Sequence, residues 1–184
     1  MKNLFKKNIV LYALCLCMFF AFLTSCQQKG DLPAGDNSVE RVPLTDVVNL
    51  TDMNLFWAYY LNEQNIPDDP FAGDVNARVA IYTSASRAES GEFLYDDGQD
   101  WIISMETSSG DYILFPRKYV QLGGVSCSVF FDYDTNALHV LITEQQGAGY
   151  QMYDCVFDSG KNEFMVSPVY EAGNISFLTS SEMR

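Results

Sequence analysis

Acidic side chains gathered in turns are the first groups in this chain whose type and spacing could do chemistry. Asp96, Asp97 and Asp100 fall within the five residues DDGQD, and Asp132 with Asp134 forms a second group. A hard cation such as calcium wants about six to eight oxygen ligands, so these two groups are the candidate metal ligands. DDGQD has neither the loop spacing nor the terminal bidentate Glu of an EF-hand, which favours solvated turn acids over a metal centre. His139 is the one histidine, and it alternates with Leu138 and Val140 on the polar side of its segment. A nucleophilic triad or a zinc site needs histidine together with partners, which this pattern does not supply. Cys127 shares a face with Val125, Val129 and Phe131, and Cys155 with Tyr153 and Phe157. Both a disulfide between Cys127 and Cys155 and two buried thiols fit that placement. If their strands both flank a third, they stand about 9.6 Å apart, beyond the ~7 Å reach of a bridge within one sheet. Arg117 and Lys118 follow Pro116 and could receive an anion or protect a strand edge by charge. Carboxylate pairs suited to glycoside hydrolysis exist in any acidic chain, and no pair is selected here. Nucleophile-elbow, phosphate-loop and dinucleotide fingerprints are absent, and Gly147-Ala148-Gly149 reads as a hairpin loop. The expectation is therefore a protein that is not an enzyme, with no catalytic residues and no cofactor.

Several elements must position these groups. Thr51 is a good helix N-cap, Asp52 suits a first turn, and Met53, Phe56, Trp57, Tyr60 and Leu61 form a stripe at helical spacing. The spacing predicts one amphipathic helix, ended by Asn65 and Pro67. From residue 78 the texture is β, in RVAIYTS, GEFLY, DWIISMET, DYILF, KYVQL, VSCSVFFDY, ALHVLITE, YQMYDCVFD, EFMVSPVY and NISFLTS. Turn chemistry separates these runs: Asp97-Gly98, Ser109-Gly110-Asp111, Gly123-Gly124, Asp134-Thr135-Asn136, Gly147-Ala148-Gly149 and Ser159-Gly160. Asp97-Gly98 predicts a tight hairpin. Pro116 predicts an edge strand or a bulge. The fold class expected is mainly β, one N-terminal amphipathic helix followed by about eight antiparallel strands in a meander, closed as a partial barrel or folded as a sandwich. In such a meander the turns at 96–99 and 134–136 fall at opposite ends.

The chain begins with Lys2, Lys6 and Lys7, followed by the 15 apolar residues 9–23. A basic start, a short apolar core and small residues ahead of a cleavage point make a secretory signal peptide. A membrane-spanning helix needs about 20 such residues. Leu23-Thr24-Ser25-Cys26 then resembles the lipobox of bacterial lipoproteins. The resemblance implies cleavage before Cys26, a diacylglyceryl thioether on its sulfur, and an acyl chain such as palmitate on the new amino terminus. In that family an Asp after the cysteine retains the protein at the inner membrane, so Gln27 implies the outer membrane, on its periplasmic face or at the cell surface. Residues 1–25 are thus the expected signal peptide, 26–44 the lipidated cysteine and a flexible tether rich in Gly, Pro, Asp and Ser, and 45–184 a single β-rich domain.

The whole chain carries 11 Lys and Arg against 24 Asp and Glu. Removing residues 1–25, which hold three lysines and no acid, leaves 8 bases and 24 acids, a formal charge of −16. Such a surface argues against nucleic acid and against attraction to anionic lipid. Hydrophobic content of 48% with 14% aromatics argues against disorder. The function expected is a non-catalytic interaction module in a cell-envelope complex, with the membrane as partner through the lipid on Cys26 and an envelope protein as its docking partner. In layout it is similar to small lipoprotein subunits of envelope-spanning machines, including type VI secretion systems. Two alternatives stand beside it: a carrier of a small apolar ligand in a lipocalin-like barrel, and a hydrolase of surface glycans. The chain lacks the Gly-x-Trp start typical of lipocalins.

Overall fold

Alternation of apolar and polar side chains dictates most of what folds. In the computed structural model, which describes residues 37–42, 44, 50–63 and 69–173, the segment Ala137–Gln146 buries Leu138, Val140, Ile142 and Glu144 in strict alternation. Its neighbours behave alike, and eleven strands result among the described residues. They are β1 (Asn37–Val39), β2 (Asn54–Tyr60), β3 (Arg78–Thr83), β4 (Ser86–Arg87), β5 (Phe93–Leu94), β6 (Gly98–Thr107), β7 (Gly110–Gln121), β8 (Gly123–Asp132), β9 (Ala137–Gln146), β10 (Gly149–Asp158) and β11 (Glu163–Ala172). The expected signal peptide, Cys26, the helix stop at Asn65 and Pro67, and the run NISFLTS lie outside the described residues.

All pairings are antiparallel and fall into a five-stranded sheet ordered β1-β11-β10-β9-β8, a four-stranded sheet ordered β2-β3-β6-β7, and the β4-β5 hairpin. The protein is mainly β, as expected, and the sheets do not close into a barrel. The chain passes from the four-stranded to the five-stranded sheet at the β7–β8 corner, where Leu122 adopts a φ of 52°. A Cβ on Gly123 would strike the carbonyl of Gln145, so only glycine fits that corner. The other end of the chain path also links the sheets. β1 pairs with β11, and two residues later Arg41 bridges Tyr112 on β7. Part of the stretch expected as tether, from Asn37 onward, is therefore built into a sheet.

The space between the sheets is filled from both sides. Val79, Ile81, Ile103, Met105, Leu114 and Phe115 face Leu138, Val140, Ile142, Cys155, Phe164 and Val166. A smaller apolar cluster of Leu44, Met53, Ala80, Tyr82 and Ile102 covers the opposite face of the four-stranded sheet.

Two local expectations are corrected. Within the stripe from Met53 to Leu61, Asn54–Tyr60 forms strand β2, flanked by short 3-10 turns at Leu50–Asp52 and Leu61–Glu63, not a helix. A bulge between Leu55 and Trp57 gives the strand its helix-like spacing. The extra residue shifts the alternation by one, which breaks the period of two and leaves apolar residues at spacings of three and four. Aromatic side chains pairing with β3 then settle the strand. Asp97-Gly98 does not close a hairpin with GEFLY either, because β5 pairs with β4 while β6 is held on both sides by β3 and β7. At position 98 glycine leaves room for the exposed Tyr119 ring, which a Cβ there would meet at 2.5 Å and displace. Pro116 does mark an edge strand with a register shift, since β7 is the outer strand of its sheet and its pairing slips between Trp101 and Ile103. DYILF and KYVQL are one continuous strand.

Candidate functional site

A contiguous group of partly exposed aromatic side chains lies along β2 and the β4–β5 hairpin. Strand β2 reads NLFWAYY, and Trp57 and Tyr59 pair with Ile81 and Val79, which places both rings on the inter-sheet side. At this outer strand the rings remain partly open, with Trp57 37% exposed. The Trp57 and Tyr59 rings lie nearly parallel, 6.3 Å between centroids. Phe56, swung out by the bulge, meets Phe93 at 5.2 Å and the buried Trp101 at 5.3 Å, both edge-on. Phe93 stacks with Tyr95, which with Leu94 is more than half exposed. Arg87 ties the hairpin to the strand: its Nη2 donates to the Leu55 carbonyl at 2.6 Å and its guanidinium lies 4.2 Å over Phe93. Arg78 holds the far end of β2, donating to the Tyr60 hydroxyl at 2.9 Å and sitting 5.6 Å over that ring. A patch of large apolar side chains left open in this way is a feature of binding surfaces. Acids rim it. Asp52 precedes β2, Glu89 and Glu92 belong to the hairpin, and Asp96 and Asp97 follow Tyr95, all exposed.

The candidates raised by residue type separate when placed in the fold. Asp100 is claimed by Arg117, whose Nε and Nη2 donate to it at 2.9 and 2.6 Å, while Asp96 and Asp97 accept bonds through their backbone carbonyls. Asp132 accepts from the Thr135 hydroxyl and the Asp134 amide, and these bonds hold its carboxyl below the usual range. It ends β8 at the end opposite Gly98, so the two acidic groups do not meet. Among the described residues no group of three or more His, Cys, Asp or Glu side chains gathers as a metal site.

His139 is more enclosed than its polar face implies. Its Nδ1 lies 3.0 and 3.1 Å from the two Asp154 oxygens, and Phe130 stacks on the ring at 4.9 Å. A carboxylate only accepts, so Nδ1 donates to Asp154. The ring's Nε2 is buried with no hydrogen-bond partner among the described residues, so none of them adds a nucleophile to the His–Asp pair. Cys127 and Cys155 are both free, on β8 and β10 with β9 between them, pairing with Ile142 and Val140. No bridge joins them, because the strand between sets their spacing. Burial pushes the Cys127 thiol up to about 12 and raises Cys155 as well, which keeps both protonated and unreactive.

Arg117 and Lys118 point to opposite faces of β7. Arg117 joins Asp100 and Asp52, and the bond from Arg117 lowers the Asp52 carboxyl. Lys118 turns inward and pairs at 2.7 Å with Glu144, itself 3% exposed, across the gap between the sheets. Neither base is left to receive an external anion. That inter-sheet pair is not anticipated by the sequence reading, although Glu144 in phase with Leu138, Val140 and Ile142 is the available signal. A second polar cluster, also missed by residue type, lies on the outer face of the four-stranded sheet. Glu106 accepts there from Arg78 at 2.7 Å, Tyr82 at 2.6 Å and Ser104 at 3.0 Å, and burial raises the Tyr82 hydroxyl strongly. The β2 surface itself is hidden when its stripe is read as helical. No family model, no curated protein and no solved structure matches this chain, so its own side chains carry the functional argument.

Proposed function

We propose that this chain is an outer-membrane-anchored lipoprotein whose β domain serves as a non-catalytic interaction module, docking on another protein of the cell envelope. The observation that carries the reading is the open aromatic surface of β2 and the β4–β5 hairpin. Rings of this size, left partly in water at the edge of a sheet whose interior is otherwise filled, favour a surface that a partner covers. The lipobox residues Leu23 to Cys26 supply the anchor in this reading. Between Cys26 and Asn37, the first residue of β1, stand ten residues, which span at most about 35 Å when fully extended. The domain then works close to the bilayer surface, among proteins embedded in or lying on it.

The test is a crosslinked pulldown of the full chain from its own envelope, with the captured proteins identified by mass spectrometry. Recovery of one stoichiometric set of envelope proteins supports the module; recovery of nothing above background defeats it. The anchor is read separately. Cys26→Ala should release the protein from membranes, and a variant that still partitions with lipid would remove the lipoprotein half of the proposal.

A further inference from the structure

Resting on the reading of the domain as an interaction module, we infer that β2 takes an extended, basic-flanked peptide segment of the partner as an added strand. Among the described residues β2 pairs with β3 alone. Asn54–Tyr60 contains no charge, no proline and no glycine. Charge and proline are devices by which natural proteins discourage pairing at an open edge, and glycine weakens a strand. The bulge and the bond from Arg87 to the Leu55 carbonyl take up the start of the strand, which leaves Trp57 to Tyr60 in regular register. A segment laid there gains backbone hydrogen bonds from the ladder and side-chain contacts from the rings. The other outer strands are less suited. β7 is bridged at Tyr112 by Arg41, and β8 exposes Ser126 and Ser128 beside a single ring, Phe130, which stacks on His139.

Charge selects the occupant. Glu89, Glu92, Asp96 and Asp97 have no ion-pair partner among the described residues, while nearby Arg87 and Arg117 are occupied internally. Incoming Lys or Arg side chains would meet acids with spare capacity and ring faces that already suit cations, as Arg87 over Phe93 and Arg78 over Tyr60 show. A second copy of this chain brings the same acids to the same edge, and like charge opposes that pairing.

The chain has two tryptophans, and only Trp57 is exposed, Trp101 being 3% exposed, so a change in emission on binding reports β2. The full chain in detergent micelles is titrated with three synthetic peptides. One is Lys-Lys-Val-Thr-Val-Thr-Val-Lys-Lys, the second carries Glu in place of every Lys, and the third is the first with alternate amides N-methylated. A saturable blue shift with the Lys peptide is expected, with binding about tenfold weaker for the Glu peptide and lost on N-methylation. Equal binding of the first two, binding unaffected by methylation, or no binding to any of them would overturn the inference. So would a blue shift given by phosphatidylcholine vesicles and by none of the peptides, which makes the surface lipid-facing, or concentration-dependent dimerisation of the chain alone, which fills the edge with its own copy. Each of these results leaves the module reading standing, because the envelope pulldown decides that separately.

Discussion

Two aromatic clusters of similar internal geometry sit at different depths in this molecule. Phe71, Tyr112, Phe157 and Phe164 meet edge-on, tilted or stacked at 4.7 to 6.4 Å and are buried between the sheets. Phe56, Phe93, Tyr95 and Trp101 meet at 5.2 to 6.2 Å, yet only Trp101 is buried. Ring contact therefore does not distinguish core from interface in this protein. The difference is what lies on the far side of the rings. The five-stranded sheet covers the first cluster, whereas the second projects at the outer strand of the four-stranded sheet. Its rings hold one another in place and keep an outer face open, which is how a preorganised binding surface limits the entropy lost on association.

Truncating the buried cluster should have the largest effect. Phe164→Ala is expected to cost about 3–5 kcal/mol in urea unfolding, because the closely packed sheets cannot collapse onto the void. A loss below about 1 kcal/mol would mean that this cluster is no more structural than the exposed one. Next comes the ion pair that joins the two sheets. Lys118→Met strands the Glu144 carboxylate in the interior and should cost about 3 kcal/mol, while Lys118→Met combined with Glu144→Leu should recover most of it. A double variant no better than the single would show that Glu144 is satisfied by other groups.

A smaller effect is expected from pH. An exposed thiol titrates near about 8.5. Cys127 in the fold is pushed up to about 12 by burial, so its contribution is complete below about pH 8.5 and is lost as the pH climbs towards 12. Stability of the native protein should fall across that window, and Cys127→Ala should flatten part of the slope. An unchanged slope would place the burden on Tyr153, which burial and the nearby Glu144 and Glu171 also push up to about 12. The smallest effect on folding is expected from Trp57→Ala, within about 0.5 kcal/mol of the parent in the same unfolding assay. A loss above about 2 kcal/mol would make the exposed cluster structural and erase the contrast between the two.

The β character and most turns are legible in the sequence because they are local. β9 announces itself by alternation, and Asn136, Gly147 and Asn162 occupy left-handed positions in hairpin loops that turn residues mark. The bulge in β2 is not legible, since an inserted residue turns a strand's period into something close to a helix's. Nor is the partition of Arg117 and Lys118, where the choice of face depends on a register slip at Pro116 that only the pairing with β6 defines. The docking surface is hidden for a different reason. Exposure of Phe56 and Trp57 follows from where one sheet stops covering the other, a long-range property that no window of sequence contains.

Arg41 has a mechanical consequence. Its guanidinium donates to the Tyr112 hydroxyl at 2.6 and 3.1 Å and to Ser109 at 2.7 Å, and Tyr112 in turn donates to the Asn162 carbonyl. One side chain thus rivets the N-terminal strand of one sheet to the edge strand of the other and to the loop before β11. Tension entering the domain from its N-terminal side first meets the three-residue β1–β11 ladder and then this rivet. Until the rivet shears, the load is shared by both sheets, and strands carrying the docking edge feel it as a unit.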